Sequence, residues 1–176
     1  MSMAIDRKVF EQNFYRVSYL LSRFTVPYMR SVYREFDGDV LLNIVIGEIG
    51  TRNLGQFYEA NRNSGTFESR LGDISEHQRL LRPCNALSIS DATGIPRETV
   101  RRKVNALIQR GWVSQNERGH LYLTPEAAQH FQRFLFPLIE ELLPAVSELA
   151  EVLEQPGTLT HQHPHSEKTP ETNKGG

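Results

Sequence analysis

Cysteine is almost absent from this sequence of 176 residues, in which Cys84 is the one example. A single cysteine excludes an intrachain disulfide, so packing must hold the fold together. The N-terminus lacks the pattern of a secretory signal peptide, and no apolar run is long enough to cross a bilayer. We therefore expect a cytoplasmic protein with no membrane partner. Cys84 is expected to be a small buried residue, and a redox switch is the alternative.

The motifs of the common enzyme classes are also missing. The sequence has no glycine-rich phosphate loop, no metal-ligand spacing and no nucleophile with a matching base. Three alternating histidines at 161, 163 and 165 could hold a metal loosely, but they lie in a polar segment, 155–176, that is predicted to be disordered. We expect no enzymatic activity, no cofactor and no metal site.

Net charge is low, at −1, but it is distributed unevenly along the chain. Residues 125–154 carry six glutamates against the single Arg133, whereas residues 97–110 carry five basic side chains against the single Glu98. A protein that binds a polyanion while staying near neutrality must separate its charges in this way. The basic side chains are Arg97, Arg101, Arg102, Lys103 and Arg110.

The basic stretch lies inside a segment with a recognisable order of turns and helices. Gly94 favours a tight turn, Pro96 fits the start of a helix, and Gly111 fits its end, which predicts a helix over 96–110. Apolar residues at helical spacing give this helix one buried stripe, which consists of Ile95, Val100, Val104, Leu107 and Ile108. Two short strands should follow, at 112–114 and 121–123, joined through a turn at 116–119.

The opposite face of this helix contains the candidate nucleic-acid contacts. Arginine binds phosphate or guanine with two hydrogen bonds, and asparagine can read adenine. Glu98 could pair with Arg102, four residues on. A merely solvated charged face is the alternative interpretation. The predicted DNA contacts are Arg97, Thr99, Arg101, Arg102 and Asn105 on the helix, Lys103 and Arg110 on phosphates, and Arg118 at the hairpin tip.

Residues 82–127 resemble a winged helix-turn-helix domain of bacterial transcription regulators. The run from Gly94 to Val104, followed by Leu107 to Val113, is similar to the recognition helix and wing entry of the MarR and GntR groups, and Leu-Thr-Pro-Glu-Ala at 123–127 is similar to MarR-type chains. The resemblance implies that Arg97 and Arg101 contact DNA. It also implies a candidate small-molecule effector pocket between the N-terminal helices and the DNA domain. The wing departs from the pattern, because it is short and has one arginine.

The flanking regions are predicted to be helical and apolar. Pro27 should end or kink an aromatic N-terminal helix, and Asp39 should cap a second helix that is apolar nearly all round. Residues 125–153 should form helices kinked or split at Pro137 and Pro144. These apolar faces are hard to bury within one copy, so we expect a homodimer, with packing inside one chain as the alternative.

Together these patterns predict a mainly α fold with a small β-hairpin wing, divided into 1–72 (N-terminal helices), 73–124 (winged helix-turn-helix), 125–154 (C-terminal dimerisation helices) and 155–176 (tail). The predicted function is a sequence-specific DNA-binding transcription regulator that acts as a homodimer, with helix 96–110 in the major groove. The alternative is a winged-helix module that binds proteins and not DNA.

Overall fold

A computed structural model describes residues 5–61 and 79–154 of the chain. This part is mainly helical with one two-stranded antiparallel sheet, as the sequence predicts. The predicted tail at 155–176 lies outside the described residues, as do residues 62–78. The elements are α1 (Arg7–Gln12), α2 (Phe14–Glu35), α3 (Val40–Asn61), α4 (Ala86–Thr93), α5 (Arg97–Gln109), β1 (Val113–Gln115), β2 (Leu121–Leu123) and α6 (Pro125–Glu154).

The two long helices α2 and α6 pack against each other in antiparallel orientation. At one end of the pair, Val17 and Leu20 of α2 form a small buried cluster with Val152 of α6. At the other end, the rings of Phe36 and Phe131 stack with their centroids 6.1 Å apart. The pair therefore forms an arm that begins at the body of the protein and extends away from it.

Prolines do not end either of these helices. At Pro27 the predicted end is wrong, because α2 continues from Phe14 to Glu35. Of the kink or split predicted at Pro137 and Pro144, the split is wrong, since a single helix runs from Pro125 to Glu154. Each proline removes one backbone donor from the helix. The residues after the α6 prolines, Leu138 and Ala145, are buried, so packing holds the helix directly after each proline.

A sharp turn joins α2 to α3. Asp37 and Gly38 both have positive φ angles, of 51° and 83°, which reverse the chain in two residues. The Asp39 carboxylate accepts a hydrogen bond from the Leu42 N–H at 3.2 Å, so Asp39 caps α3 as the sequence predicts. The turn therefore places two aspartates beside the start of α3, at the point where the arm meets the body.

Helix α3 forms the centre of the body, where it packs against α4, α5 and β2. The stripe predicted on α5 is buried against it: Val100 and Leu107 are fully buried and Val104 nearly so. Helix α3 buries one face, which includes Val45 and Ile49, while its other apolar residues remain partly exposed. The position of α5 is thus determined by apolar packing on a helix that ends at Asn61, 36 residues before α5 begins at Arg97.

A buried amide joins α3 to the hairpin. The side chain of Asn53 is completely buried, and its amide nitrogen donates to the carbonyl of Arg82 at 2.7 Å and to that of Leu121 at 3.2 Å. Its side-chain oxygen accepts from the Leu123 N–H at 2.8 Å. One buried polar side chain therefore supplies partners to three backbone groups in two separate segments.

The hairpin is extended by a third short segment. Strands β1 and β2 pair with Val113 opposite Leu123 and Gln115 opposite Leu121. On the other side of β2, the Leu121 N–H donates to the Cys84 carbonyl at 2.8 Å, and the two residues form a β-bridge. The chain just before α4 is thereby attached to the hairpin that follows α5.

Replacing Asn53 with alanine tests the joining of α3 to the hairpin. We expect Asn53→Ala to lower the free energy of unfolding by about 2–4 kcal/mol, because the backbone groups it serves lose their partners inside the protein. Urea denaturation followed by circular dichroism measures the change. As a control, Asn105→Ala on the exposed face of α5 should alter it by no more than about 0.5 kcal/mol. Equal effects of the two substitutions would contradict this role of Asn53.

The Cys84 thiol should be unreactive in the folded protein. Its side chain is buried, and burial raises the pKa of this thiol to about 11 from an ordinary value of 9.0. The thiolate, which is the reactive form, is therefore scarce near neutral pH. We expect iodoacetamide at pH 8 to label Cys84 only after denaturation, as measured by mass spectrometry. Rapid labelling of the native protein would favour the redox switch instead.

The same pKa shift lowers the free energy of unfolding at alkaline pH. Because the folded pKa lies above the unfolded one, the contribution of this thiol to stability is complete below about pH 9 and is lost as the pH rises through about 11.

Candidate nucleic-acid interface

Side-chain hydrogen bonds define the turn between α4 and α5. Helix α4 begins with a reciprocal cap, in which Asn85 and Ser88 each accept the other's backbone N–H. It ends at Gly94, whose φ of 70° requires the left-handed conformation predicted for it. The hydroxyl of Ser90 then donates to the Ile95 carbonyl at 2.7 Å. The start of α5 is therefore held at a defined angle to α4.

The buried stripe of α5 determines which of its side chains face outward. Val100, Val104 and Leu107 lie against the body. The side chains on the opposite side of the helix are spaced four, three and four residues apart, and all of them are exposed: Glu98, Arg102, Asn105 and Gln109. Arg97 and Arg101 are also exposed and lie along one edge of this face. We call the set the outward face of α5, and it consists of Arg97, Glu98, Arg101, Arg102, Asn105 and Gln109.

The outward face is basic, with three arginines against one glutamate. Arg101 donates from Nη1 to Glu98 Oε2 at 3.2 Å, and both side chains remain largely exposed, at 62% and 74%. In the structure Glu98 thus contacts Arg101, whereas the sequence predicted a pair with Arg102. Arginine and amide groups on one exposed face can donate to phosphate oxygens and to the acceptors on base edges.

Two predicted contacts lie away from this face. Thr99 is partly buried on the flank of α5. Lys103 points to the turn between α2 and α3, where its Nζ lies 2.5 Å from Asp39 Oδ2 and its side chain is only 19% exposed. Among the predicted helix contacts, the outward face therefore brings together Arg97, Arg101, Arg102 and Asn105, and it leaves Thr99 and Lys103 at its sides.

Arg110, at the end of α5, joins a stack of side chains at the junction with the arm. Its guanidinium binds Asp37 at 2.9 Å and lies over the ring of Trp112, 5.2 Å from the centroid. The His130 ring lies against Trp112 with centroids 4.5 Å apart, and His130 Nε2 is 2.6 Å from Glu35 Oε1. Acidic residues at the end of α2 thus lie at both ends of an arginine–tryptophan–histidine stack, which fixes α5 relative to the arm.

The hairpin after α5 ends in an ordered tip. The side-chain oxygen of Asn116 accepts from the N–H groups of Arg118 and His120, both at 3.0 Å. Gly119 has the positive φ, 78°, that the predicted turn needs. Arg118 is exposed at this tip, next in sequence to the turn glycine. The structure therefore presents one arginine at the hydrogen-bonded tip of a hairpin that begins shortly after α5.

Glu98 and Gln109 belong to the outward face but were missed among the predicted contacts. The sequence contained the signal that would have found them, since both lie opposite the buried stripe. Selection by residue type favoured arginine, threonine and asparagine over an acid and a glutamine. Position relative to Val100 and Leu107 was the better guide, because it depends only on helical geometry.

The part of the chain that the structure describes contains a cleft, but no metal-binding group and no membrane-spanning helix. Residues 5–61 and 79–154 contain no group of three or more histidine, cysteine, aspartate or glutamate side chains placed to hold a metal ion. No helix in the same ranges is long and apolar enough to span a membrane. A cleft of about 300 Å³ lies between α2 and α6, at the end of the arm far from α5, with Tyr19 and Glu148 among its lining residues. The effector pocket predicted next to the DNA domain stays a prediction.

No protein-family model matches the chain, and no curated protein or solved structure matches it either. A function must therefore be inferred from the outward face of α5, the hairpin and the arm.

Proposed function

We propose that this protein is a homodimeric, sequence-specific DNA-binding transcription regulator of the winged helix-turn-helix type, which acts in the cytoplasm on double-stranded DNA. The outward face of α5 is the observation that carries the proposal. It exposes three arginines and two amide side chains, while the opposite side of the same helix is buried against α3. Such a helix fits the major groove, where its exposed side chains meet the edges of bases.

The start of α5 suits a phosphate. Pro96 precedes the helix and supplies no side-chain cap to its first turn. The backbone N–H groups of a helix N-terminus attract anions. Arg97 lies at this end and adds a positive charge. A DNA phosphate at this position would orient α5 in the groove without reading sequence.

The hairpin supplies a second contact. It begins directly after α5, and the Trp112 N–H donates to the Leu107 carbonyl at 3.0 Å, so hairpin and helix are joined by a short rigid connection. Arg118 at its tip can bind a backbone phosphate or enter the minor groove beside the helix. Strand β2 forms a β-bridge with Cys84, and its Leu123 N–H donates to the Asn53 side chain. These two contacts hold the hairpin in position relative to α5.

The arm favours a second copy of the chain as a partner. Helix α2 exposes seven large apolar or aromatic side chains, and five of them recur with spacings of three, four and seven residues, the pattern of a coiled-coil seam. Helix α6 exposes another group of large apolar side chains along one side. Apolar stripes of this length on both helices indicate an interface. The residues are Tyr15, Tyr19, Val26, Met29 and Tyr33 on α2, and Leu135, Phe136, Ile139, Leu143 and Val146 on α6.

Charge favours a particular pairing of the arms. Helix α2 carries four arginines and one glutamate, whereas α6 carries six glutamates and one arginine. Two copies of α2 side by side would repel each other, while α2 of one copy against α6 of the other would attract. A two-fold dimer of this kind presents two α5 helices to successive turns of one duplex, which matches a palindromic site.

The DNA-binding proposal predicts a specific loss of affinity. We expect Arg101→Ala/Arg102→Ala to weaken binding to a random-sequence duplex at least about tenfold, because two positive charges that neutralise phosphates are lost. Fluorescence anisotropy at several salt concentrations measures it. The plot of log K against log salt should become shallower by about 0.9 for each phosphate that the variant no longer binds.

The matched control changes two exposed basic side chains on α1. Arg7→Ala/Lys8→Ala removes the same charge but lies outside the outward face and the proposed dimer interface, so its effect on DNA binding should be much smaller. If wild-type protein binds no duplex at low salt, or if both double variants bind like wild type, DNA binding through α5 is wrong. The protein-interaction module then becomes the better account.

The proposed dimer predicts that the protein's mass in solution halves when exposed apolar side chains of α6 become charged. Phe136→Glu/Leu143→Glu places two charges in the proposed interface, and we expect it to convert a dimer to a monomer with unchanged helix content, as measured by analytical ultracentrifugation and circular dichroism. Ile44→Glu on the exposed side of α3 is the control and should leave the dimer intact. A wild-type monomer, or a double variant that stays dimeric, contradicts this interface.

A further inference from the structure

Glu98 is an unexpected residue on the outward face, in the first turn of α5. It is the only acidic residue of α5, and it is exposed beside arginines on the side that would meet a polyanion. Phosphates repel a carboxylate there, so the residue weakens binding unless DNA offers it a hydrogen-bond donor. The donors that the major groove displays are the amino groups of cytosine and adenine.

The contact between Glu98 and Arg101 determines what the two side chains can offer together. The contact joins Arg101 Nη1 to Glu98 Oε2 at 3.2 Å across one helical turn. It occupies one of five guanidinium donors and one of two carboxylate oxygens. Since both side chains are mostly exposed, the pair retains an acceptor beside several donors.

This arrangement is complementary to one kind of base pair. In the major groove a C·G pair shows the cytosine amino donor next to the two guanine acceptors, O6 and N7. A T·A pair would place the thymine O4 acceptor against the carboxylate. An A·T pair would offer the guanidinium one acceptor where guanine offers two. A neighbouring carboxylate and guanidinium therefore match C·G better than either alternative.

We propose that Glu98 and Arg101 jointly read one C·G base pair, with Glu98 accepting from the cytosine amino group and Arg101 donating twice to guanine. The inference rests on the proposed DNA-binding function and names a base pair that its target must contain. Glu98 is thus a specificity-determining residue, and it lowers affinity for sequences that lack the pair.

The test selects binding sites from a random duplex pool with three proteins: wild type, Glu98→Gln and Glu126→Gln. Glu126 is a matched control, because it is an exposed glutamate in the first turn of another helix. We expect wild type and Glu126→Gln to select the same motif, with a C·G pair at a fixed position. Glu98→Gln should lose the preference at that position while still binding DNA.

Fluorescence anisotropy on the selected site measures how much affinity depends on the C·G pair. Changing the C·G pair to T·A should weaken wild-type binding by about 5- to 150-fold, and Glu98→Gln should lose most of that discrimination. If Glu98→Gln selects the wild-type motif, or binds all sequences more tightly by one common factor, the inference is overturned while DNA binding stands. If none of the three proteins binds DNA, the proposed function and the inference fail together.

Discussion

The buried amide of Asn53 is the interaction on which the arrangement of the body depends. Helix α3, the segment before α4 and the hairpin are distant in sequence, and this one side chain hydrogen-bonds to the backbone of both other segments. Apolar packing has little directional preference, so it can bring these elements together without fixing their register. A completely buried amide needs its specific partners, and it therefore determines where the hairpin lies relative to α3 and hence to α5.

A second constraint connects the body to the arm. The stack of Arg110, Trp112 and His130 lies between Asp37 and Glu35, so that residues from α2, the end of α5, the start of the hairpin and α6 meet at one place. Exposed ion pairs contribute little stability on their own, and the ring contacts contribute the larger share. In a dimer joined through the arms, this junction sets the distance and angle between the two α5 helices, and therefore the spacing of half-sites on DNA.

Local signals in the sequence were sufficient to predict the helix and the hairpin of residues 96–123. The turn glycines, Pro96 and the apolar stripe predicted a helix over 96–110 and a hairpin after it. The structure has a helix at Arg97–Gln109 and two strands, of which the first begins one residue later than predicted. Long-range effects were not predictable in the same way. Nothing near Lys103 in the sequence indicates that its ammonium group contacts Asp39. The helices α2 and α6 continue through their prolines, because packing between the two helices stabilises them. Within the candidate site, the arginines were identified by residue type, while Glu98 required helical geometry.

The central claim is that the outward face of α5 docks on double-stranded DNA. It is tested most directly by recording the backbone amide spectrum of isotope-labelled protein while a random-sequence duplex is added at low salt. Docking through α5 predicts that chemical shifts change mainly in residues 97–109 and at the hairpin tip, and that the arm helices keep their shifts. Changes confined to the arm or to the exposed side of α3, or a spectrum unaffected by DNA, would contradict it.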